Sequence, residues 1–169
     1  MKMKILKYGA PALRETGNPV EKFDAELEKL VSDMFETMYA APGVGLAAPQ
    51  VGVNIRLIVI DVSVGKEPDK KIVLCNPRII ASEGTQEGDE GCLSVPDFCE
   101  RVKRPLKVAV EAQDVKGETF RMEGEGLSAR AICHEIDHLN GVMFVDLLSP
   151  LKRAILRGKI KKLIKAGKW

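Results

Sequence analysis

The sequence from residue 126 to residue 141 is GLSARAICHEIDHLNG. It predicts a helix, because Ser128 is a residue type that often caps helix N-termini and Gly141 is one that often follows a helix. Both histidines of the chain, His134 and His138, lie in this segment within a His-Glu-x-x-His pattern. The only two imidazoles of the protein are therefore predicted to lie on one helix.

The His-Glu-x-x-His pattern has the spacing of a metal site. Residues four apart on an α-helix differ in direction by about 40°, so His134 and His138 face one point. Two converging neutral imidazoles are suitable ligands for a borderline divalent cation. Glu135 is adjacent but offset, so we expect it to reach a water on the metal, as a general base does. The alternative is a solvated helix with this spacing by accident, since short motifs do arise that way.

A catalytic site of this kind needs a third protein ligand and keeps a fourth position open for water. No histidine follows His138, and Asp146 is the only later acid. Cys92 is the alternative, because it lies in the sequence EGCLS, where the preceding glycine allows a close approach of the backbone. A thiolate there would give a Cys-His-His site. Cys75 and Cys99 are instead expected to be core or incidental thiols.

Apolar patterns predict the other elements. A stripe over residues 24–40, with Asp24 as N-cap, predicts one helix, and another is expected at about 150–166, after Ser149. The apolar stripe of this C-terminal helix comprises Leu151, Ile155, Leu156, Ile160, Leu163 and Ile164. Strands are predicted at 55–62, 72–75 and 78–81, with a hairpin of 107–113 and 118–123. Residues 43–52 fit neither a helix nor a regular strand.

These elements predict a single α+β domain over residues 1–169, in which mostly antiparallel short strands pack around a central metal-binding helix. The 45% of hydrophobic and 30% of charged residues exclude a disordered or fibrous chain.

Composition also bears on location and partners. No apolar run approaches the ~18 residues that span a bilayer, and no apolar segment typical of a secretory signal follows the N-terminal lysines. We therefore predict a cytoplasmic protein with free thiols, no membrane partner and, by default, a monomeric state. The net charge of +2 gives no strong overall attraction to nucleic acid. Residues 147–169, however, contain eight lysines and arginines and no acid.

Three segments, in order, resemble the signature motifs of peptide deformylase. They are GVGLAAPQ at 43–50, EGCLS at 90–94 and HEIDHLNG at 134–141. The resemblance extends over essentially the whole chain and includes a basic C-terminal helix similar to that of bacterial members. One short motif gives weak support, but three in order are specific. The resemblance implies the peptide deformylase-like fold and a hydrolase that removes the N-formyl group from the N-terminal formylmethionine of new polypeptides, releasing formate.

The resemblance also implies roles for the residues that match the metal motifs. Cys92, His134 and His138 would bind one divalent metal, and a water on that metal would be the nucleophile. Glu135 would take a proton from this water and later pass it to the leaving amine. The native ion in this family is usually Fe²⁺, which is the expected cofactor, and Ni²⁺, Co²⁺ or Zn²⁺ can replace it.

Other matched residues are implied to contact the substrate. The side-chain amide of Gln50 and the backbone N–H of Leu93 would hold the developing oxyanion of the formyl group. The backbone of Gly45 would line the substrate cleft. The pocket for the methionine side chain would be formed by Val44, Leu127, Arg130 and Ala131.

The implied partners are N-formylmethionyl nascent peptides and, through the basic C-terminal helix, the ribosome, whose RNA phosphates attract positive charge. The chain departs from the family at Cys133, where many members have a glutamine. That position is not a metal ligand in the family, but the change adds a thiol next to the motif, and an exposed side chain there would be sensitive to oxidation.

Two other functions fit parts of the sequence. A zinc endopeptidase would use the same helical motif, but the chain lacks the third ligand that such proteases place downstream. An RNA- or ribosome-binding protein with a structural zinc would need four protein ligands, so Cys133 or Cys99 would have to join the other three.

Overall fold

Three α-helices and seven β-strands form the chain in the computed structural model, which describes residues 1–169. The helices are α1 (Ala25–Ala40), α2 (Leu127–Leu139) and α3 (Pro150–Lys165). The strands are β1 (Gly45–Ala47), β2 (Leu57–Ile60), β3 (Ile72–Glu83), β4 (Gln86–Cys92), β5 (Val95–Arg104), β6 (Lys107–Gln113) and β7 (Thr119–Glu125). Single 3₁₀ turns lie at Pro11–Arg14, Ala48–Val51, Pro68–Lys70 and Phe144–Leu147. None of the helices has the length and apolar character needed to cross a bilayer.

The strands form two antiparallel sheets that surround α2. One has the order β1-β2-β3-β6-β7, and β4 pairs with β5 in a separate hairpin. Helix α2 packs on one face of the larger sheet against Ile58 and Ile60, while α1 packs against Leu57 and Val59 on the other face. Because both faces of β2 are covered, all four of its residues are buried and apolar. The predicted α+β architecture with a central helix is therefore confirmed.

The helix starts are set by local hydrogen bonds. Asp24 caps α1 as predicted, and Ser149 caps α3, because each side chain accepts a hydrogen bond from the backbone N–H three residues later. The predicted N-cap of α2 at Ser128 is wrong. Gly126 occupies that position, and its carbonyl accepts the N–H of Arg130 at 3.0 Å, so the helix begins earlier.

The two strands predicted between residues 72 and 81 are one continuous strand, β3. The chain passes through Asn76 in a bulge with a φ of 50°, rather than ending there. The Asn76 side chain donates to the carbonyl of Val20 at 3.0 Å and to Gln113 Oε1 at 2.7 Å. These contacts hold the bulge, so the strand continues on the far side.

Residues 43–52 are more regular than predicted. Gly45–Ala47 pairs with β2 as strand β1, and Ala48–Val51 forms a 3₁₀ turn. The side chains of this segment are mostly too small to give an apolar strand pattern, so the strand is recognisable only by its pairing with β2.

The hairpin of β4 and β5 is the largest element that sequence patterns missed. Strands are recognised by alternating apolar residues, but the side chains of Glu90 and Arg104 are directed inward here. These two residues are only 4% and 6% exposed, and their charges are paired at 2.6 Å. A buried ion pair thus takes the place of the apolar alternation, and the hairpin ends β4 at Cys92.

Helix α3 packs more narrowly than its apolar stripe predicted. Leu156 and Ile160, one turn apart, are buried, whereas Leu151, Ile155 and Ile164 are exposed. Only part of the apolar stripe therefore packs on the domain. Most of the surface of α3 faces solvent.

The glycine that ends α2 provides a test of the packing at this end of the helix. Gly141 has a φ of 72°, and an added Cβ would lie 2.5 Å from the carbonyl oxygen of Arg14. Gly141→Ala should lower the free energy of unfolding by about 2 kcal/mol or more, measured by urea denaturation at equal metal content. Gly158→Ala is the matched control, because Gly158 lies in α3 with no atom near its Cβ position. This change should raise stability by about 0.5–1 kcal/mol. Equal stabilities for the two variants would contradict this account of α2.

Candidate metal centre

Three side chains converge where β4 meets α2. The possible ligand atoms of Cys92, His134 and His138 all lie within 4.8 Å of one another. The Nε2 atom of His138 is 3.2 Å from the Cys92 sulfur and 3.2 Å from Nε2 of His134. The spacing of the histidines on α2 thus brings the two rings together, as the sequence predicted. Cys92, which comes from a separate hairpin, completes the group.

The three residues fit a divalent cation. Metal–ligand bonds of about 2.0–2.3 Å in a tetrahedral site leave the ligand atoms roughly 3–4 Å apart, similar to the distances seen here. A thiolate with two imidazoles is also a donor set for borderline metals. No fourth ligand joins the group, because Cys133 packs in the apolar core and Cys99 is exposed. This arrangement does not support a closed structural zinc site and leaves one position open.

Burial disfavours charge on both imidazoles, but their neighbours differ. At His134, hydrogen bonds with Cys92 and Glu90 outweigh burial and raise the pKa well above its ordinary value. At His138, burial together with the adjacent His134 lowers the pKa well below its ordinary value. The lowered pKa favours the neutral form of His138, which is the form of histidine that binds metals, whereas a cation would have to displace the proton that the raised pKa favours on His134.

A buried carboxylate orients His134. Glu90 Oε2 lies 2.7 Å from Nδ1 of His134, which leaves Nε2 directed toward the other two ligands. Arg104 donates to both oxygens of Glu90 and also to Asp137, and Arg130 donates to Oε1. We call these five residues the Glu90 network. Burial opposes ionisation of Glu90, but the hydrogen bonds from His134 and Arg104 lower its pKa to about 2.

Glu135 lies beside the group without taking part in this network. Its Oε1 atom is 3.9 Å from Nε2 of His134, and its Oε2 atom is buried with no hydrogen-bond partner. Burial raises the pKa of this carboxyl to about 7. A Cβ atom at Gly45 would lie 2.8 Å from Oε1, so only glycine leaves room for the Glu135 carboxylate. The unpartnered Oε2 atom indicates a binding position for a polar group that the protein itself does not supply.

Gln50 is held in a single orientation next to Cys92. Its Oε1 accepts the N–H of Ala47 at 2.9 Å, which requires Nε2 to lie on the opposite side. That nitrogen donates to Ser94 Oγ at 3.1 Å and lies 3.6 Å from the Cys92 sulfur. The amide N–H groups of Gln50 therefore lie on the side of the metal centre that Cys92 occupies.

A cleft of about 730 Å³ opens onto these residues. Every residue that the sequence placed in the substrate cleft or methionine pocket lines it: Val44, Gly45, Leu127, Arg130 and Ala131. Cys92, Leu93, His134 and Glu135 line it as well, whereas Gln50 and His138 do not. The structure thus brings the predicted site residues into one region.

The sequence did not indicate the polar residues that support the site. Ser94 lay in a quoted motif but had no assigned role, and neither Arg104 nor Asp137 was singled out. Arg104 and Asp137 meet through a contact between β5 and α2, and Ser94 contacts Gln50, so no local pattern predicts these roles. Cys133 is less reactive than its position suggested, because burial raises the pKa of its thiol and keeps it protonated.

Comparison with known proteins gives the family. The family model for polypeptide deformylase matches residues 2–154. A peptide deformylase from Acidobacterium capsulatum is 53% identical over 98% of this chain and 97% of the relative. A crystal structure of a peptide deformylase from Legionella pneumophila has 50% identity and a TM-score of 0.92, covering 99% of this chain and 98% of the other. A peptide deformylase from Synechococcus elongatus, solved in complex with actinonin, gives 41% identity and a TM-score of 0.89 over 94% and 88% of the chains. The resemblance of the three motifs is therefore confirmed, and the chain belongs to the peptide deformylase family of enzymes.

Proposed function

We propose that this protein hydrolyses the formamide at the N-terminal formylmethionine of new polypeptides, releasing formate and a free amine. One observation carries the proposal: the Cys92, His134 and His138 ligand atoms converge beside a buried, unpartnered carboxylate in the wall of a cleft. This arrangement offers a place for a metal, a base and a substrate within a few ångströms.

Cys92, His134 and His138 would hold one divalent cation, for which we propose Fe²⁺, as the family resemblance implies. When bound, such an ion acts as a Lewis acid and lowers the pKa of water, so that hydroxide becomes available near pH 7. The open fourth position is consistent with a catalytic rather than a structural site.

Glu135 acts as the proton carrier. Its carboxylate takes a proton from the water that attacks the formyl carbon, and a C–O bond forms. It then delivers the proton to the amide nitrogen as the C–N bond breaks, so that the amine leaves and formate remains. The unpartnered Oε2 is free for this task, because no side chain or backbone N–H competes for it.

Gln50 and Leu93 stabilise the charge that develops on the formyl oxygen. The Gln50 amide is fixed through Ala47 and Ser94, so its N–H groups need little reorganisation during the reaction. Leu93 follows Cys92 at the wall of the cleft, where its backbone N–H would be the second donor.

The methionine side chain would occupy the part of the cleft lined by Val44, Leu127 and Ala131, with the aliphatic stem of Arg130. These residues present apolar surface, which suits an unbranched thioether. We further propose that the protein works in the cytoplasm, where nascent chains carry the formyl group.

Helix α3 provides the surface for the proposed ribosome contact. Lys152, Arg153 and Arg157 bond to neighbouring residues. The side chains of five lysines in the C-terminal segment have neither a salt bridge nor a hydrogen bond, and these residues are exposed: Lys159, Lys161, Lys162, Lys165 and Lys168. A row of free positive charges of this kind attracts RNA phosphates.

Replacing Glu135 tests the proposed chemistry. Glu135→Gln keeps the shape of the side chain but cannot accept a proton. Formate release from a formyl-Met tripeptide should therefore fall by about 10²–10⁴-fold, while the metal content stays at the wild-type level. The matched control is Glu87→Gln on the exposed side of the hairpin, which should retain full turnover. A Glu135→Gln enzyme with wild-type turnover would contradict the assignment of the base.

Gln50 allows a separate test of oxyanion stabilisation. Gln50→Ala should lower kcat by about 10²–10³-fold with little change in KM, because the lost donor acts on charge that develops in the transition state. The measurement is steady-state kinetics on the same peptide, accompanied by thermal unfolding to exclude a folding defect. A kcat within threefold of wild type in a folded variant would exclude this role.

The ribosome contact can be separated from catalysis. Changing Lys159, Lys161, Lys162 and Lys165 to Gln should reduce co-sedimentation with ribosomes while leaving turnover of a short formylated peptide unchanged. Four exposed lysines away from α3, namely Lys66, Lys70, Lys107 and Lys116, serve as the charge-matched control. Equal co-sedimentation of the two variants would rule out α3 as the contact surface.

A further inference from the structure

Arg130 lines the cleft, yet its guanidinium is used inside the protein. The Nη1 atom donates to Glu90 Oε1 at 3.1 Å and to the carbonyl of Val102 at 3.0 Å. The side chain is only 9% exposed, so these contacts are shielded from solvent. An apolar residue would suffice to line a methionine pocket, and the buried charge therefore needs another explanation.

The contacts of Glu90 explain why a buried charge is present at Arg130. Arg130 and His134 lie one turn apart on α2, and both bond to the same carboxylate, through Oε1 and Oε2 respectively. Glu90 is thus attached to α2 at two points. Because Cys92 lies only two residues later on β4, the position of Glu90 sets how close the sulfur comes to the two imidazoles.

Arg104 also holds Glu90, but in a different way. It lies on β5, within the same hairpin, and its direct bonds fix Glu90 relative to that hairpin. It reaches α2 only through Asp137, whose side chain is 28% exposed. Arg130 is the guanidinium that joins Glu90 to α2 directly.

The neighbouring sequence leaves space for this contact. A Cβ atom at Gly88 would lie 3.3 Å from Nη2 of Arg130, so even a methyl group there would require the guanidinium to shift by a few tenths of an ångström. The glycine on β4 and the arginine on α2 are therefore sterically matched.

We infer that Arg130 is a positioning residue for the metal centre, which fixes the separation between Cys92 and the histidines by anchoring Glu90 to α2. This role is distinct from lining the methionine pocket, and it rests on the proposed function, since it requires that the three ligands hold a metal.

Co²⁺ affinity tests the inference without relying on turnover. Arg130→Met keeps an apolar stem in the cleft but removes the donor, and it should weaken Co²⁺ binding about tenfold in a chelator competition. Arg130→Lys, which keeps a donor and the charge, should recover most of the affinity. Arg121→Met, which changes an exposed arginine paired with Glu111, should bind Co²⁺ like the wild type. An Arg130→Met protein with wild-type Co²⁺ affinity and only a raised KM would overturn the inference.

A second variant covers the case in which Arg130→Met does not fold. Gly88→Val keeps Arg130 in the sequence but crowds its guanidinium with a branched side chain, so it should weaken the contact with Glu90 and reduce Co²⁺ binding in the same direction. Wild-type affinity in this variant would also overturn the positioning role. Failure of the proposed function is distinguishable from failure of the positioning role. In that case the wild-type protein itself would bind no Co²⁺ at the three ligands or release no formate.

Discussion

The carboxylate of Glu90 joins the hairpin that carries Cys92 to the helix that carries both histidines. It is buried, ionised and bonded to three side chains from β5 and α2. Removing one partner from such a buried network costs about 3–5 kcal/mol, because a charge is left without compensation. The hairpin therefore docks on α2 in one position. The convergence of the three ligand atoms follows from that docking.

The two carboxylates near the centre have opposite environments and therefore different tasks. Glu90 is surrounded by positive donors, which hold its pKa at about 2 and keep it charged. Glu135 has one oxygen with no partner, and burial raises its pKa to about 7. The first is suited to a permanent structural charge and the second to proton transfer near neutral pH. His134 and Glu135 are adjacent on α2. His134 is bonded to the permanently charged Glu90, whereas Glu135 is itself suited to exchange a proton.

The parts of the fold that sequence predicted well are those with local causes. The helical spacing of His134 and His138, the cap at Asp24 and the turn between β6 and β7 depend on residues within a few positions of each other. The hairpin of β4 and β5 escaped prediction because a buried ion pair replaces its apolar pattern. The same difference between local and long-range causes applies to the site. The candidate ligands and Glu135 were identified from motifs, whereas the contacts of Arg104, Ser94 and Asp137 join distant segments. The bonding of Arg130 to Glu90 could not be predicted for the same reason.

The most direct measurement is hydrolysis of a formyl-Met tripeptide by the protein prepared without oxygen and loaded with Fe²⁺. We expect formate and a new α-amine to appear in equal amounts, a chelator to abolish both, and added Fe²⁺ or Ni²⁺ to restore them. An unformylated, amide-blocked peptide should remain intact, which distinguishes this enzyme from an endopeptidase. Metal bound to the protein without release of formate would show that the Cys92, His134 and His138 group does not catalyse deformylation.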